Sequence, residues 1–345
     1  MNRKYNIAIA GATGNVGREI LSILNERDFP IENLYLLASS RSKGQKINFK
    51  DQELIVEDLS EFDFTKVHIS LFSPGGSVSA EFAPKAAAAG CIVIDNTSYF
   101  RMKDDVPLIV PEVNADALEE FFDENNRSNI IANPNCSTIQ MVVVLKPLHD
   151  EAIINRIVVS TYQSVSGSGT AAIDELWTQS KQILDGNEIK PNIYPHQIAF
   201  NAIPHIEPLT DSGYTEEELK IRNETRKILH TPNMAISSTC VRIPVMVSHS
   251  EAVHIEFTYP ITPEEVREIL SMNSGIHVVD DPQSNEYPMP IEAADKDDVF
   301  VGRIRQDISH SNGIAMWIVS DNLRKGAALN ALQIAEEILD RKLLL

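Results

Sequence analysis

Cys136 stands at a seam between two textures of sequence. Ile130-Ile131-Ala132 before it is strand-like, Asn133-Pro134-Asn135 is turn-like, and Ser137-Thr138-Ile139-Gln140 opens an apolar helix-like stretch. A cysteine at a helix N-terminus meets backbone amides and the positive end of the helix dipole, which favour thiolate over thiol. The same amides can stabilise the oxyanion formed when that thiolate attacks a carbonyl. Cys136 is therefore a candidate nucleophile for thioester chemistry. The alternative, a core cysteine, would sit more naturally mid-helix among residues 141–145. The other two cysteines, Cys91 and Cys240, lie inside apolar strand-like runs and read as packed hydrophobes. Three cysteines make neither a paired disulfide framework nor a CxxC metal pair, and no metal is expected.

A second chemistry lies at the start of the chain. Gly11-Ala12-Thr13-Gly14-Asn15-Val16-Gly17 joins a strand-like run at 5–10 to helical spacing at 18–25. Glycines at such a turn let backbone amides approach a pyrophosphate at the helix N-terminus. Glycine serves any tight turn, so the signal is the placement between strand and helix. The next strand, 34–38, ends in Ser39-Ser40-Arg41-Ser42, with no acid to accept from a ribose hydroxyl. Hydroxyls and a guanidinium suit a 2′-phosphate, which favours NADP over NAD. A solvated polar loop is the bland alternative.

Elements must position these groups. Further strands are predicted over 54–56, 67–72 and 91–94, with an alanine-rich crossover helix over 80–89. Together they predict an α/β fold, a Rossmann-like doubly wound parallel sheet over residues 1–135. Beyond it, β-branched stretches at 153–163, 235–247 and 252–259 suit an α+β catalytic domain with a mixed sheet, spanning 136–321. Residues 186–208 carry four prolines and little periodicity, as in a long arm. The helical spacing at 326–343 places a final segment, 322–345, back on the first domain. A length of 345 residues favours two domains, and 43% hydrophobic with 23% charged residues suits a globular core. A net charge of -19 argues against nucleic acid as a partner. No apolar run approaches membrane-spanning length, and residues 1–4 run directly into the first strand with no separate leader. A cytoplasmic protein is expected.

The resemblance of these segments to one family is specific. Asn133-Pro134-Asn135-Cys136-Ser137-Thr138 is similar to the active-site signature of aspartate-semialdehyde dehydrogenases, and the glycine turn resembles that family's opening. The likeness continues through Asp95-Asn96-Thr97-Ser98-Tyr99-Phe100-Arg101-Met102 and Val110-Pro111-Glu112-Val113-Asn114. It resumes at Gln163-Ser164-Val165-Ser166-Gly167-Ser168-Gly169, Arg242-Ile243-Pro244-Val245 and His249-Ser250-Glu251. Thr97 and Ser168 depart mildly from the commonest forms, which have Ser and Ala there.

The resemblance implies roles. Cys136 is the nucleophile, Gln163 positions it and the substrate, and His249 is the acid/base. Arg242 clamps the substrate α-carboxylate, and Glu217 meets its ammonium. Arg101, Asn135 and Lys220 form a phosphate pocket. The implied cofactor set is Gly11, Thr13, Gly14, Asn15, Val16, Ser39, Ser40, Arg41, Ser73 and Gly75, with Ser166, Gly167, Gly169 and Asn322. On residues alone, His249 competes with His254, and Glu217 is one of three consecutive glutamates that would suit a solvated helix face. The implied reaction is NADPH-dependent reduction of L-4-aspartyl phosphate to aspartate 4-semialdehyde, a step toward lysine, threonine and methionine. The implied assembly is a homodimer, or a dimer of dimers, through the second domain's sheet. An N-acetyl-glutamyl-phosphate reductase is the nearest rival, and a non-catalytic nucleotide-binding regulator the rival from another class.

Overall fold

A computed structural model describes residues 3–123 and 127–344. The chain divides into two compact units, Met1–Asn135 with Ala327–Leu345, and Cys136–Gly326.

The first unit begins β1 (Tyr5–Ala10), α1 (Asn15–Glu26), β2 (Ile31–Ala38), β3 (Lys46–Phe49), β4 (Gln52–Asp58), β5 (Ile69–Phe72). It continues α2 (Gly76–Ala88), β6 (Ile92–Asp95), α3 (Pro111–Asn114), α4 (Ala117–Asp123), β7 (Ile130–Ala132). The strands make one sheet in the order β3-β4-β2-β1-β5-β6-β7. All neighbours are parallel except β3 and β4, an antiparallel edge hairpin that sequence reading did not resolve. The order turns back between β1 and β5, so the β1–α1 and β5–α2 turns flank the switch point where such sheets bind ligands. Ile20, Leu21, Ile23 and Leu24 of α1 are buried in one core with Leu332, Ala335 and Ile338 of the last helix, Leu329–Asp340.

The turn after β1 is tight because two glycines allow it. Gly11 has a φ of +88°, and a Cβ there would lie 2.5 Å from the Ser73 carbonyl oxygen. A Cβ on Gly17 would lie 2.3 Å from the Gly11 carbonyl oxygen. The helix consequently starts at Asn15, earlier than its apolar spacing indicates, with Gly14 as an N-cap that supplies no side chain.

The second unit holds α5 (Cys136–Ala152), β8 (Ile154–Gln163), α6 (Thr170–Leu184), α7 (Glu216–Ile228), β9 (Ala235–Arg242), β10 (His249–Phe257) and α8 (Pro263–Ser271). It closes with β11 (Ile276–Val278), α9 (Pro290–Ala293), β12 (Val299–Gln306) and β13 (Gly313–Ser320). Its mixed sheet runs β11-β12-β13-β10-β8-β9. Helices α5, α7 and α8 cover one face. The other face is half-buried, carrying Val158, Ser160, Tyr162, Ala252 and Trp317, with the Tyr162 and Trp317 rings 5.4 Å apart. Two boundaries differ from expectation. β9 stops at Arg242, just before Pro244, which has no N–H for a ladder, and β10 starts at His249, three residues early. Residues 322–326 belong to this unit.

No helix or strand forms between α6 and α7, yet this arm is held. The Glu175 carboxylate accepts from the Asn192 and Ile193 amides, and Gln179 Oε1 accepts from the Ile198 and Ala199 amides at 3.0 and 3.2 Å. Ile198, Ala199 and Ile203 join Val165, Ala172 and Leu176 in a small core. No helix among the described residues is long and apolar enough to cross a membrane.

The glycine geometry makes a paired prediction. Gly17→Ala should lower unfolding free energy by about 1–3 kcal/mol through overpacking. Gly76→Ala, where a Cβ meets nothing within 4 Å, should be neutral or stabilising by about 0.5 kcal/mol. Denaturant titration of both variants checks the contrast.

Candidate active site

The second unit's polar centre is built on register. Gln163, the last residue of β8, lies opposite Arg242 on β9 and His249 on β10, and His249 lies opposite Ser320 on β13. Directly opposed residues share a sheet face. The side chains of Arg242, Gln163 and His249 therefore rise side by side from the helix-covered face, all nearly fully buried.

Helices α5 and α7 bring their groups to this row. Cys136 is the first residue of α5 and is the one partly exposed cysteine, while Cys91 and Cys240 are fully buried. Burial pushes both of those thiols far above their ordinary range. Gln163 Nε2 donates to Ser137 Oγ, the neighbour of the nucleophile candidate, at 2.7 Å and to Glu217 Oε1 at 3.0 Å. One amide thus ties the starts of α5 and α7 to the sheet. Among the three glutamates, Glu216 is exposed and Glu218 serves the capping box with Thr215 and the Cys240 amide. Glu217 is the one that reaches Gln163. Lys220, one turn on, is ion-paired with Glu207 and lies 3.5 Å from Glu217.

His249 is oriented by backbone. Its Nδ1 is 3.1 Å from the Ser164 amide, which can only donate, so the neutral ring carries its proton on Nε2. A Cβ on Gly167 would lie 3.3 Å from that Nε2 and 3.4 Å from Arg242 Nη1, so glycine leaves room beside both. Burial first, then the nearby Arg242 charge, pushes the imidazole down to about 3, with Glu217 opposing. Arg242 Nη1 donates to the Ser164 carbonyl at 2.6 Å, and its guanidinium lies 5.9 Å from the Tyr194 ring centroid. His254, farther along β10, is by contrast exposed and pairs with Asp307, just past β12.

Asn322, just past β13, anchors the turn after β8. Its Oδ1 accepts from Ser164 Oγ, Ser166 Oγ and the Ser248 amide at 3.1, 3.0 and 2.9 Å. Ser166 and Gly167 lie in the 3-10 turn Val165–Ser168, and Gly169 caps α6 with a φ of +92°. Two contributors carry no role in the sequence reading. Ser164 serves His249 with its N–H and Arg242 with its carbonyl. Gly326 approaches so closely that a Cβ there would lie 2.9 Å from Cys136 Cβ. A lone glycine inside a helical pattern was the available signal.

In the first unit, the cofactor set falls at three turns. Gly11, Thr13, Gly14, Asn15 and Val16 form the β1–α1 turn, and Ser73 and Gly75 follow β5. Ser39, Ser40 and Arg41 form an exposed turn after β2. Asp58, opposite Ala38 at that strand end, spends Oδ1 on the amide and hydroxyl of Ser60. The glycine cradle and a helix start without a side-chain cap fit a dinucleotide pyrophosphate. Arg101 is buried and aimed by backbone, donating to the Asn133 and Asn96 carbonyls at 2.9 and 2.7 Å. Asn135 is buried and precedes Cys136 directly.

A cysteine at a helix start, a buried histidine and a dinucleotide-type sheet are the parts of a thiol-dependent dehydrogenase. The family models agree: "semialdehyde dehydrogenase, NAD binding domain" matches residues 6–121, and "semialdehyde dehydrogenase, dimerisation domain" matches 145–325. The aspartate-semialdehyde dehydrogenase of Legionella pneumophila is 55% identical, with 100% of this chain and 98% of that protein aligned. The Aquifex aeolicus enzyme is 54% identical, with 96% of this chain and 97% of that protein aligned. The crystal structure of aspartate semialdehyde dehydrogenase II from Vibrio cholerae complexed with ASA matches at a TM-score of 0.95 and 50% identity, covering 98% of this chain and 99% of that one. The chain belongs to the aspartate-semialdehyde dehydrogenase family.

The pH behaviour of His249 follows from its burial. The folded ring holds its proton near pH 3, the unfolded ring near 6.5. Between these values the unfolded chain binds the extra proton, so this site erodes stability progressively as pH falls from 6.5. Nitrogen-15 NMR of the imidazoles should show His249 neutral and protonated on Nε2 from pH 5 to 8. A titration inside that range would contradict the assignment.

Proposed function

We infer that the chain catalyses the reversible, NADPH-dependent reduction of L-4-aspartyl phosphate to L-aspartate 4-semialdehyde with release of phosphate. The observation that supports this reading is the Gln163 row, which sets Arg242, His249 and a link to the Cys136 helix in one register. Cys136 Sγ attacks the acyl carbon, and the helix-start amides stabilise the oxyanion. Collapse of that adduct breaks the carbon–oxygen bond to phosphate and leaves a thioester on Cys136. NADPH, when bound, supplies the hydride that reduces the thioester carbon. The Nε2–H of the neutral His249 ring donates a hydrogen bond to the resulting oxyanion without giving up its proton. The oxyanion then re-forms the carbon–oxygen double bond, and the carbon–sulfur bond breaks to free the aldehyde and return a thiolate to Cys136.

Arg242 has the fork geometry to hold the α-carboxylate, and no carboxylate pairs with it among the described residues. Glu217 meets the substrate ammonium, with its second oxygen shared with Lys220. Arg101, Asn135 and Lys220 take the phosphate. An acidic partner for an ammonium has no purpose with an N-acetylated substrate, which sets the aspartyl enzyme ahead of the glutamyl one. NADP is preferred over NAD because Ser39, Ser40 and Arg41 offer hydroxyls and a cation after β2, while Asp58, opposite Ala38, gives Oδ1 to Ser60. The Candida albicans enzyme, 25% identical with a TM-score of 0.78, has been solved with NADP. Two copies associate through the half-buried face around Tyr162, Ala252 and Trp317, in the region matched by the dimerisation model. The setting is cytoplasmic amino-acid biosynthesis.

NADPH formation from aspartate 4-semialdehyde and NADP should depend on phosphate. Cys136→Ser should slow it by about a thousandfold or more while leaving NADP binding intact. No turnover by the unaltered chain, under conditions where NADP binds, would overturn the substrate assignment. Arg242→Lys should raise the KM for the semialdehyde about 10- to 100-fold by losing the bidentate contact. Arg41→Ala should weaken NADP about tenfold without weakening NAD, measured as the ratio of kcat/KM for the two cofactors.

A further inference from the structure

Beneath the row of Arg242, Gln163 and His249 lies a second row on the same sheet face. Glu251 on β10 is opposite Thr161 on β8 and Ile318 on β13, and Thr161 is opposite Cys240 on β9. Glu251 is entirely buried, and both its carboxyl oxygens lack a hydrogen-bond partner of ordinary geometry. Gln140 of α5 is also entirely buried, and both ends of its amide lack such a partner. The two side chains face each other. Burial drives the Glu251 carboxyl far above the ordinary carboxylate range, and the Gln140 amide is near enough to temper that shift.

We propose that Glu251 is a positioning residue for the reaction, pairing with Gln140 to fix the start of α5, and with it Cys136, against the strand that begins at His249. The spacing makes the pair a second rung below the first. Gln140 is four residues after Cys136, one helical turn or about 6 Å along α5. Glu251 is two residues after His249, about 6.8 Å along β10 on the same face.

The chemistry of the pair is set by its surroundings. A carboxylate with no cation beside it would be costly at this depth. Cys240 on β9 shares the layer, the charges of Glu217 and Glu218 on α7 reach it, and Arg242 and His249 lie in the row above. The first three add negative potential or none, and Arg242 is directed at the Ser164 carbonyl. Glu251 is accordingly a neutral acid. Its O–H donates to Gln140 Oε1 while Gln140 Nε2 donates to its carbonyl oxygen, two bonds that satisfy four otherwise orphaned atoms at once.

This role rests on the dehydrogenase reading, and the test separates the two. Turnover by the unaltered chain checks that reading alone. Glu251→Ala should then lower kcat about 10- to 100-fold, the scale of a 1 Å misplacement, with KM changed less than about threefold. Glu251→Gln should recover most of the lost rate with an unchanged pH profile, because a second amide keeps both bonds without a charge. Gln140→Ala should match Glu251→Ala, and the double variant should be no slower than either single one. The rate at which iodoacetamide alkylates Cys136 in the folded variants gives a readout free of substrate. Unchanged kcat in both alanine variants, additive losses in the double variant, or a Glu251→Gln as slow as Glu251→Ala would each overturn the proposal. If Glu251→Ala melts before assay temperature, Gln140→Ala alone decides it.

Discussion

The register of one strand carries the site. β8 pairs in parallel with β9 and antiparallel with β10, and Gln163 is the residue at which both pairings place a functional side chain alongside. A slip of one residue in either ladder would turn Arg242 or His249 to the half-buried face and put Val241 or Ser250 in its place. The buried alternation along the strands opposes that slip, since Ile157, Val159, Val253 and Ile255 would have to leave the core with them. Hydrophobic periodicity deep in the sheet is thus what aligns polar groups at its end.

The same economy governs charge. A chain of net charge -19 that takes the dianionic substrate proposed above needs local cations, and Arg242 is one that a neutral group holds. The Asn133 and Asn96 carbonyls help to aim Arg101, and the Ser164 carbonyl aims Arg242. A carbonyl dipole fixes the direction of a guanidinium and leaves its net charge in place for a ligand. His249 is treated in the opposite way, with burial and a neighbouring cation keeping it uncharged and its Nε2 proton available.

Much of the fold was legible because strong local signals mark its turns and seams. The glycine turn, the Asn-Pro-Asn-Cys seam and the apolar strands around them each obey a short-range rule. What was missed obeys long-range rules. The apolar run at 54–56 announced the middle of β4, but its edge partner β3, Lys46-Ile47-Asn48-Phe49, alternates polar and apolar over only four residues and was not read. In β13, Ala315 and Met316 dilute a strand signature that becomes clear only when β10 lies beside it. His249 could not be told from His254 by composition. Burial on one hand, and an exposed pairing with Asp307 on the other, separate them only in three dimensions. Ser164 acts through its backbone, which no side-chain pattern records.

The arm between α6 and α7 shows what two polar side chains can do for a segment with no regular structure. Glu175 and Gln179 hold four of its amides from one turn of a helix, and its apolar residues are packed beneath. To hydrogen exchange and to proteases, those amides belong with the neighbouring helix, not with the loops. The arm opens only when α6 itself lets go, so a stretch that looks disposable in sequence shares the fate of a core element.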